Sequence, residues 1–115
     1  MLLYKITLMK WIAFNNESQL EEIIQKSFTA PQVIFKYSSR CSLSDLIRDR
    51  LERQPGPEQM DFYFLDLIAY RALSDRIARK FEVHHESPQV LVIRNGECVY
   101  DESHTAIRMD AIMAA

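Results

Sequence analysis

The sequence predicts a single α/β domain with a central mixed β-sheet covered by helices on both faces. Three observations carry this. Helix-period and strand-period segments alternate along the chain. The strands read as continuous apolar runs, the pattern of strands buried on both faces. An Asn95-Gly96 pair between two hydrophobic runs marks a tight hairpin, so part of the sheet must be antiparallel. At 115 residues the chain, 1–115, is expected to form one domain.

The opening stretch MLLYKITLMKWIAF is hydrophobic but interrupted by Lys5 and Lys10. It is too short and too charged to span a bilayer and has no small-residue cleavage site. Residues 1–10 are read as an N-terminal extension or an extra strand, since LYKITL alternates and Met9-Lys10-Trp11 would make a natural start. Ser18-Gln-Leu-Glu21 has the form of a capping box, and Leu20, Ile23 and Ile24 then make one apolar stripe, predicting a helix over 17–28. Pro31 closes that connection and QVIFKY (32–37) follows as a strand.

Leu43, Leu46, Ile47 and Leu51 recur at helical spacing over 42–53, and the Pro-Gly-Pro at 55–57 ends that helix. DFYFLDL (61–67) is a second buried strand, aromatic-rich as strands prefer. A third helix covers 70–81 with Leu73, Ile77 and Phe81 inward and Ser74 and Ala78 elsewhere on its surface. QVLVIR and ECVYD flank the Asn-Gly turn, and SHTAIRMDAIMAA predicts a terminal helix with His104 at its start. The expected order is α-β-α-β-α-β-β-α, with two parallel crossovers and then an antiparallel hairpin.

Hydrophobic residues at 48% and charged residues at 26% describe an ordinary soluble domain. The net charge of −2, with signs interspersed, removes the basic footprint of a nucleic-acid binder. RDRLER (48–53) alternates Arg with Asp and Glu, a solvated helix face. No Cys/His spacing resembles a zinc motif, so no metal site is expected.

One of two cysteines, Cys41, stands where the strand VIFKY turns into a helix. Unpaired backbone N–H groups and the positive end of the helix dipole stabilise a thiolate there. Arg40 beside it and Lys36 upstream are expected to push the same way. The alternative is a cysteine in a capping position with no chemistry. Ser44 occupies the place where a two-cysteine redox site carries its second thiol. A second feature is Ser87-Pro88 before QVLVIR: proline is tolerated at a strand start, and the same bond permits a cis peptide in a tight turn.

Cys-x-x-Ser at the end of a core strand, with a proline before the hairpin, resembles a thioredoxin-like fold. More narrowly, FKYSSRCSLS (35–44), YFLDLIAYRALSDRIARKFEVHHESPQVLVIRNGE (63–97) and DESH (101–104) resemble the YtxJ family, the monothiol bacilliredoxins of bacteria that use bacillithiol. The resemblance spans about residues 11–112. It implies a thiol-disulfide oxidoreductase with Cys41 as nucleophile, Arg40, Ser42 and Ser44 as its motif, and Pro88 as a cis-proline facing the sulfur. Ser42 stands where proline is frequent in the family, and Arg40 where threonine is frequent; Ser42 can still enter a helix and is a candidate cap. The preceding residue, Ser87, would pair through its backbone with a bound disulfide partner, and His85 of HESP is expected to join Ser87 and Pro88 in binding the substrate.

The implied reaction is removal of bacillithiol from protein mixed disulfides, with bacillithiol as co-substrate, no tightly bound cofactor, and bacillithiolated client proteins as partners. A reducing cytoplasm, no nucleic acid, no membrane, and a monomer or weak dimer complete the expectation. The alternatives are a glutaredoxin-like protein using another small thiol, and a non-catalytic thioredoxin-like module or iron–sulfur carrier. Against the last, a cluster-binding motif would carry glycine and then an aromatic after the cysteine, where this chain has Ser42 and Leu43.

Cys98 is expected opposite Ile93 across the hairpin, roughly 16 Å along the strand from the active-site end at ~3.3 Å per residue. A disulfide needs Cα atoms within ~7 Å. Cys98 therefore reads as a core cysteine, sharing a face with Leu91, Ile93 and Tyr100. His84 and His85 precede the proline turn, and either could partner the thiol or be structural. Asp66, at a strand end, is a candidate proton acceptor or a loop residue.

Overall fold

The computed structural model describes residues 9–115. The LYKITL segment lies outside the described residues. The chain folds as β1 (Trp11–Ala13), α1 (Ser18–Lys26), β2 (Gln32–Tyr37), α2 (Ser42–Glu52), β3 (Asp61–Asp66), α3 (Arg71–Phe81), β4 (Gln89–Arg94), β5 (Glu97–Ser103), a 3-10 turn (His104–Ala106) and α4 (Met109–Ala114). The strands form one mixed sheet in the order β1-β3-β2-β4-β5. β1 and β2 both run parallel to β3, and β4 runs antiparallel to β2 and β5.

The two parallel crossovers are therefore β1-α1-β2 and β2-α2-β3. The expectation had no β1 and took β3-α3-β4 as the second crossover. Hydrophobic period identifies a strand but not its direction, and Trp11–Ala13 is too short and too exposed to have a period. Its place is set instead by Trp11, whose ring packs on Phe35, Phe62 and Phe64 and whose indole N–H donates to Glu52 at 2.7 Å.

Alternating residues of each strand divide the core in two, as a pleated strand requires. Val33, Phe35, Tyr37, Phe62, Val90 and Val92 face α2 and α4, meeting Ile47, Leu51, Met109 and Ile112. Ile34, Tyr63, Leu65, Leu91 and Ile93 face α1 and α3, meeting Leu20, Ile23, Leu73 and Ile77. Every residue of β2 is buried, Lys36 included.

Four local expectations are corrected. The capping box sits two residues earlier, on Asn16-Glu-Ser-Gln19: the Asn16 side chain accepts from the Ser18 N–H, and Gln19 Oε1 accepts from the Asn16 N–H. β5 runs on to Ser103, and His104 lies in the 3-10 turn with φ 60 rather than opening the last helix. Ser74 is fully buried, not on the surface of α3. A register shift at Val92/Ile93 leaves Val99 as the extra residue of β5, so Tyr100 pairs with Val92 while Cys98 pairs with Ile93. Cys98 therefore packs on the α1/α3 side and Tyr100 on the other.

Candidate active site

β2 and β4 are neighbours, with Lys36 opposite Gln89. The chain leaves β2 toward Cys41 and enters β4 from Pro88, so both segments lie at one end of the sheet. Cys98, paired with Ile93 and hence level with Gln32, belongs to the other end. Both thiols are free.

Cys41 is the N-cap residue of α2, with extended backbone (φ −119, ψ 112). A tight turn delivers it there: the Cys41 N–H donates to the Ser38 carbonyl at 3.1 Å, and the Ser44 N–H to the Cys41 carbonyl at 3.0 Å. Ser44 is fully buried, and its hydroxyl oxygen accepts from the Ser38 N–H at 3.2 Å. Ser44 thus ties the turn together, and a hydroxyl that accepts can still donate.

The Cys41 thiol is held below its ordinary value, most strongly by the Ser44 backbone N–H, with the Leu43 N–H and the Ser44 hydroxyl adding to it; burial and the Asp45 carboxylate oppose them. Neither Arg40 nor Lys36 is among these influences, which corrects the expectation. Arg40 is exposed. Lys36 points to the opposite side of the sheet, since β2 alternates and Tyr37 takes the side of α2. Ser42 is exposed and opens α2 without capping it; the capping position belongs to Cys41.

The Ser87-Pro88 bond is cis. The Ser87 hydroxyl oxygen is buried and has no hydrogen-bond partner among the described residues. The Pro88 carbonyl accepts from the His104 N–H at 2.9 Å, and Gln89 Nε2 donates to the His84 carbonyl at 2.9 Å, fastening the loop on both sides. Glu86 lies between two histidines, 3.4 Å from His104 Nε2 and 3.9 Å from His84 Nε2. His85 turns inward, its Nδ1 at 3.4 Å from both Lys36 Nζ and Ser74 Oγ. Burial first, then the Lys36 and Arg71 charges, holds His85 below its ordinary value. Asp66 accepts from the Ile68 N–H at 3.0 Å and so shapes the turn after β3.

The family model for monothiol bacilliredoxin BrxC matches residues 12–112. The chain belongs to the monothiol bacilliredoxin family. A solved candidate oxidoreductase with a thioredoxin fold is 32% identical, covers 90% of each chain and superposes with a TM-score of 0.77. Spinach chloroplast thioredoxin f, 14% identical over 97% of each chain, gives a TM-score of 0.72. Thioredoxin O2 from Arabidopsis thaliana, 18% identical over 90% of this chain and 91% of its own, gives 0.70. These last two bear on the fold, which is that of thioredoxin. Family and fold together make the protein a thiol-disulfide oxidoreductase.

Two groupings beside the site escaped the sequence reading. Tyr37 donates its hydroxyl to Asp45, and Arg48 sits 3.3 Å from the same carboxylate and 4.9 Å from the Tyr37 ring centroid. Asp45 lies one helical turn beyond Cys41, a spacing that was there to be read. The other is Lys36, Ser74 and His85; its signal was a lysine in a strand apolar on both faces, which demands partners for a buried amine. Among the described residues, no three His, Cys, Asp or Glu side chains are grouped to hold a metal ion, and no helix is long and apolar enough to cross a membrane.

Proposed function

We propose that this protein removes bacillithiol from mixed disulfides on client proteins, with Cys41 as the nucleophile. The Cys41 thiolate attacks the bacillithiol sulfur of the mixed disulfide. A new S–S bond forms to Cys41 as the old one breaks, and the client leaves as a thiolate that takes a proton from solvent. A second bacillithiol thiolate then attacks the adduct and restores Cys41, releasing bacillithiol disulfide to a separate reductase. No net oxidant is needed, since each step exchanges one disulfide for another.

The observation that carries this reading is the pairing of Cys41 at the N-terminus of α2 with a buried hydroxyl, Ser44, three residues on. The thiol is activated, and the neighbour that would resolve an adduct within the chain has an oxygen instead of a sulfur. Membership of the monothiol bacilliredoxins supports bacillithiol as the small thiol and a reducing cytoplasm as the setting. In this reading Ser87 and Pro88 form the rim against which the client's disulfide segment lies.

The test incubates reduced protein with a bacillithiolated model substrate and follows the small thiol by intact mass. Wild type and Cys98→Ser should take up the adduct, and Cys41→Ser should not. Uptake by Cys41→Ser, or none by wild type, refutes the reading. Equal transfer from a glutathionylated substrate would replace bacillithiol specificity with a broader, glutaredoxin-like one.

A further inference from the structure

We propose that Lys36 is a positioning residue for this reaction: from inside the sheet it holds the neutral His85 ring and thereby fixes the loop that presents Ser87 and Pro88. This rests on the reading of that loop as the rim for the bound disulfide.

Lys36 is wholly buried, yet among the described residues its amine has no carboxylate partner within bonding distance. It donates to the Ser74 main-chain carbonyl at 3.1 Å and meets His85 Nδ1 at 3.4 Å. An ammonium or amine N–H has nothing to accept with in its protonated form, so Nδ1 must be the acceptor and the ring proton must sit on Nε2. A protonated ring would set N–H against N–H. The same nitrogen faces Ser74 Oγ at 3.4 Å, and a hydroxyl can donate or accept, so it fits the tautomer that the lysine selects.

The anchor is well placed to act on the loop. Lys36 belongs to the central strand, Ser74 to α3, and His85 to the seven-residue connection between α3 and β4, residues 82–88, three positions before the cis-proline. The rest of that loop is fastened by the Pro88 carbonyl to His104 and by Gln89 to the His84 carbonyl. Removing the amine frees the side of the loop nearest Ser87 while leaving the other ties in place. The charged groups around the ring are Lys36 from β2, Arg71 and Asp75 from α3, and Glu86 from the loop itself; burial, Lys36 and Arg71 disfavour the protonated ring.

The test compares wild type with Lys36→Met, which keeps the linear stem and removes the amine. Nitrogen-15 NMR of His85 in the reduced wild type should find the proton on Nε2 near neutral pH and a titration midpoint below the ordinary 6.5. In Lys36→Met the midpoint should move up. With a bacillithiolated substrate the variant's KM should rise roughly tenfold, the scale of one lost charge-assisted hydrogen bond, with the alkylation rate of Cys41 unchanged. A wild-type ring protonated on Nδ1, an unmoved midpoint, or an unchanged KM in a folded variant overturns the proposal. If Lys36→Met does not fold, the wild-type tautomer and midpoint still decide whether the amine holds the ring. If wild type transfers no bacillithiol, the functional reading falls, and with it the positioning role, whereas the NMR result separately retains or rejects the Lys36–His85 contact.

Discussion

In the reduced, folded protein at about pH 7.5, iodoacetamide should label Cys41 faster than Cys98 by a factor of roughly ten or more. Burial pushes the Cys98 thiol from 9.0 to about 11. At that pH an ordinary thiol at ~9.0 is roughly 3% thiolate, and one at ~11 roughly 0.03%, about a hundredfold loss of the reactive form. A more basic thiolate is intrinsically more nucleophilic, by about tenfold over two units at a Brønsted slope of ~0.5. Cys98 is therefore about tenfold slower than an ordinary thiol, before any loss of access in a half-buried site. Cys41 moves the other way, since the Ser44 and Leu43 N–H groups favour its thiolate. Timed quenching, digestion and mass mapping give both rates. The two should converge in denaturant, where the helix terminus and the burial are gone. Faster labelling of Cys98, or no convergence on unfolding, would refute the assignment of these environments to these two residues.

Ser44→Ala should slow Cys41 alkylation below neutral pH by raising its thiol, and should cost about 1–3 kcal/mol in urea unfolding because the buried Ser38 N–H loses its acceptor. Ser44→Cys should release a bound small thiol without added reductant, leaving an intramolecular disulfide visible by intact mass; persistence of the adduct would show that the two positions cannot bond. Ile47→Ala, wholly buried between α2 and the sheet, should cost about 2–5 kcal/mol, read by the fluorescence of the one tryptophan, Trp11. Burial lowers the Lys36 amine from 10.5 to about 8, so between those values the unfolded chain binds the extra proton and stability rises with pH, by about 3 kcal/mol in full. The raised Cys98 thiol acts oppositely, removing stability as pH climbs from 9.0 toward about 11. It is common to wild type and Lys36→Met, so the difference between their unfolding profiles isolates the lysine, and a flat difference would refute its burial penalty.

Much of the fold was legible because the residues that form it act locally. The stripe of Leu20 and Ile23, the run QVIFKY and the Asn95-Gly96 turn each name an element without reference to the rest of the chain. What escaped depends on partners distant in sequence. Trp11–Ala13 becomes a strand because β3 offers an edge and three phenylalanines receive the indole. The reversal at β4 and the bulge that sends Tyr100 and Cys98 to opposite faces are likewise invisible to an alternating pattern. At the site, the position of Cys41 could be read from strand, turn and helix. The charges assumed to tune it could not, because adjacency to Arg40 and Lys36 in sequence says nothing about which side of a strand a side chain takes. The groups that do act on the sulfur include the backbone N–H groups of Ser44 and Leu43, the Ser44 hydroxyl and the carboxylate of Asp45.

The buried hydroxyl of Ser44 has a consequence for how the protein would read its surroundings. A pair of thiols closing on each other consumes one small-molecule disulfide and releases two small thiols, so its oxidation depends on the absolute size of the thiol pool as well as its balance. With an oxygen at that position, loading Cys41 consumes one disulfide and returns one thiol. Under the proposed reaction the occupancy of Cys41 would follow the ratio of reduced to oxidised bacillithiol alone, and diluting or expanding the pool at constant ratio would leave it unchanged.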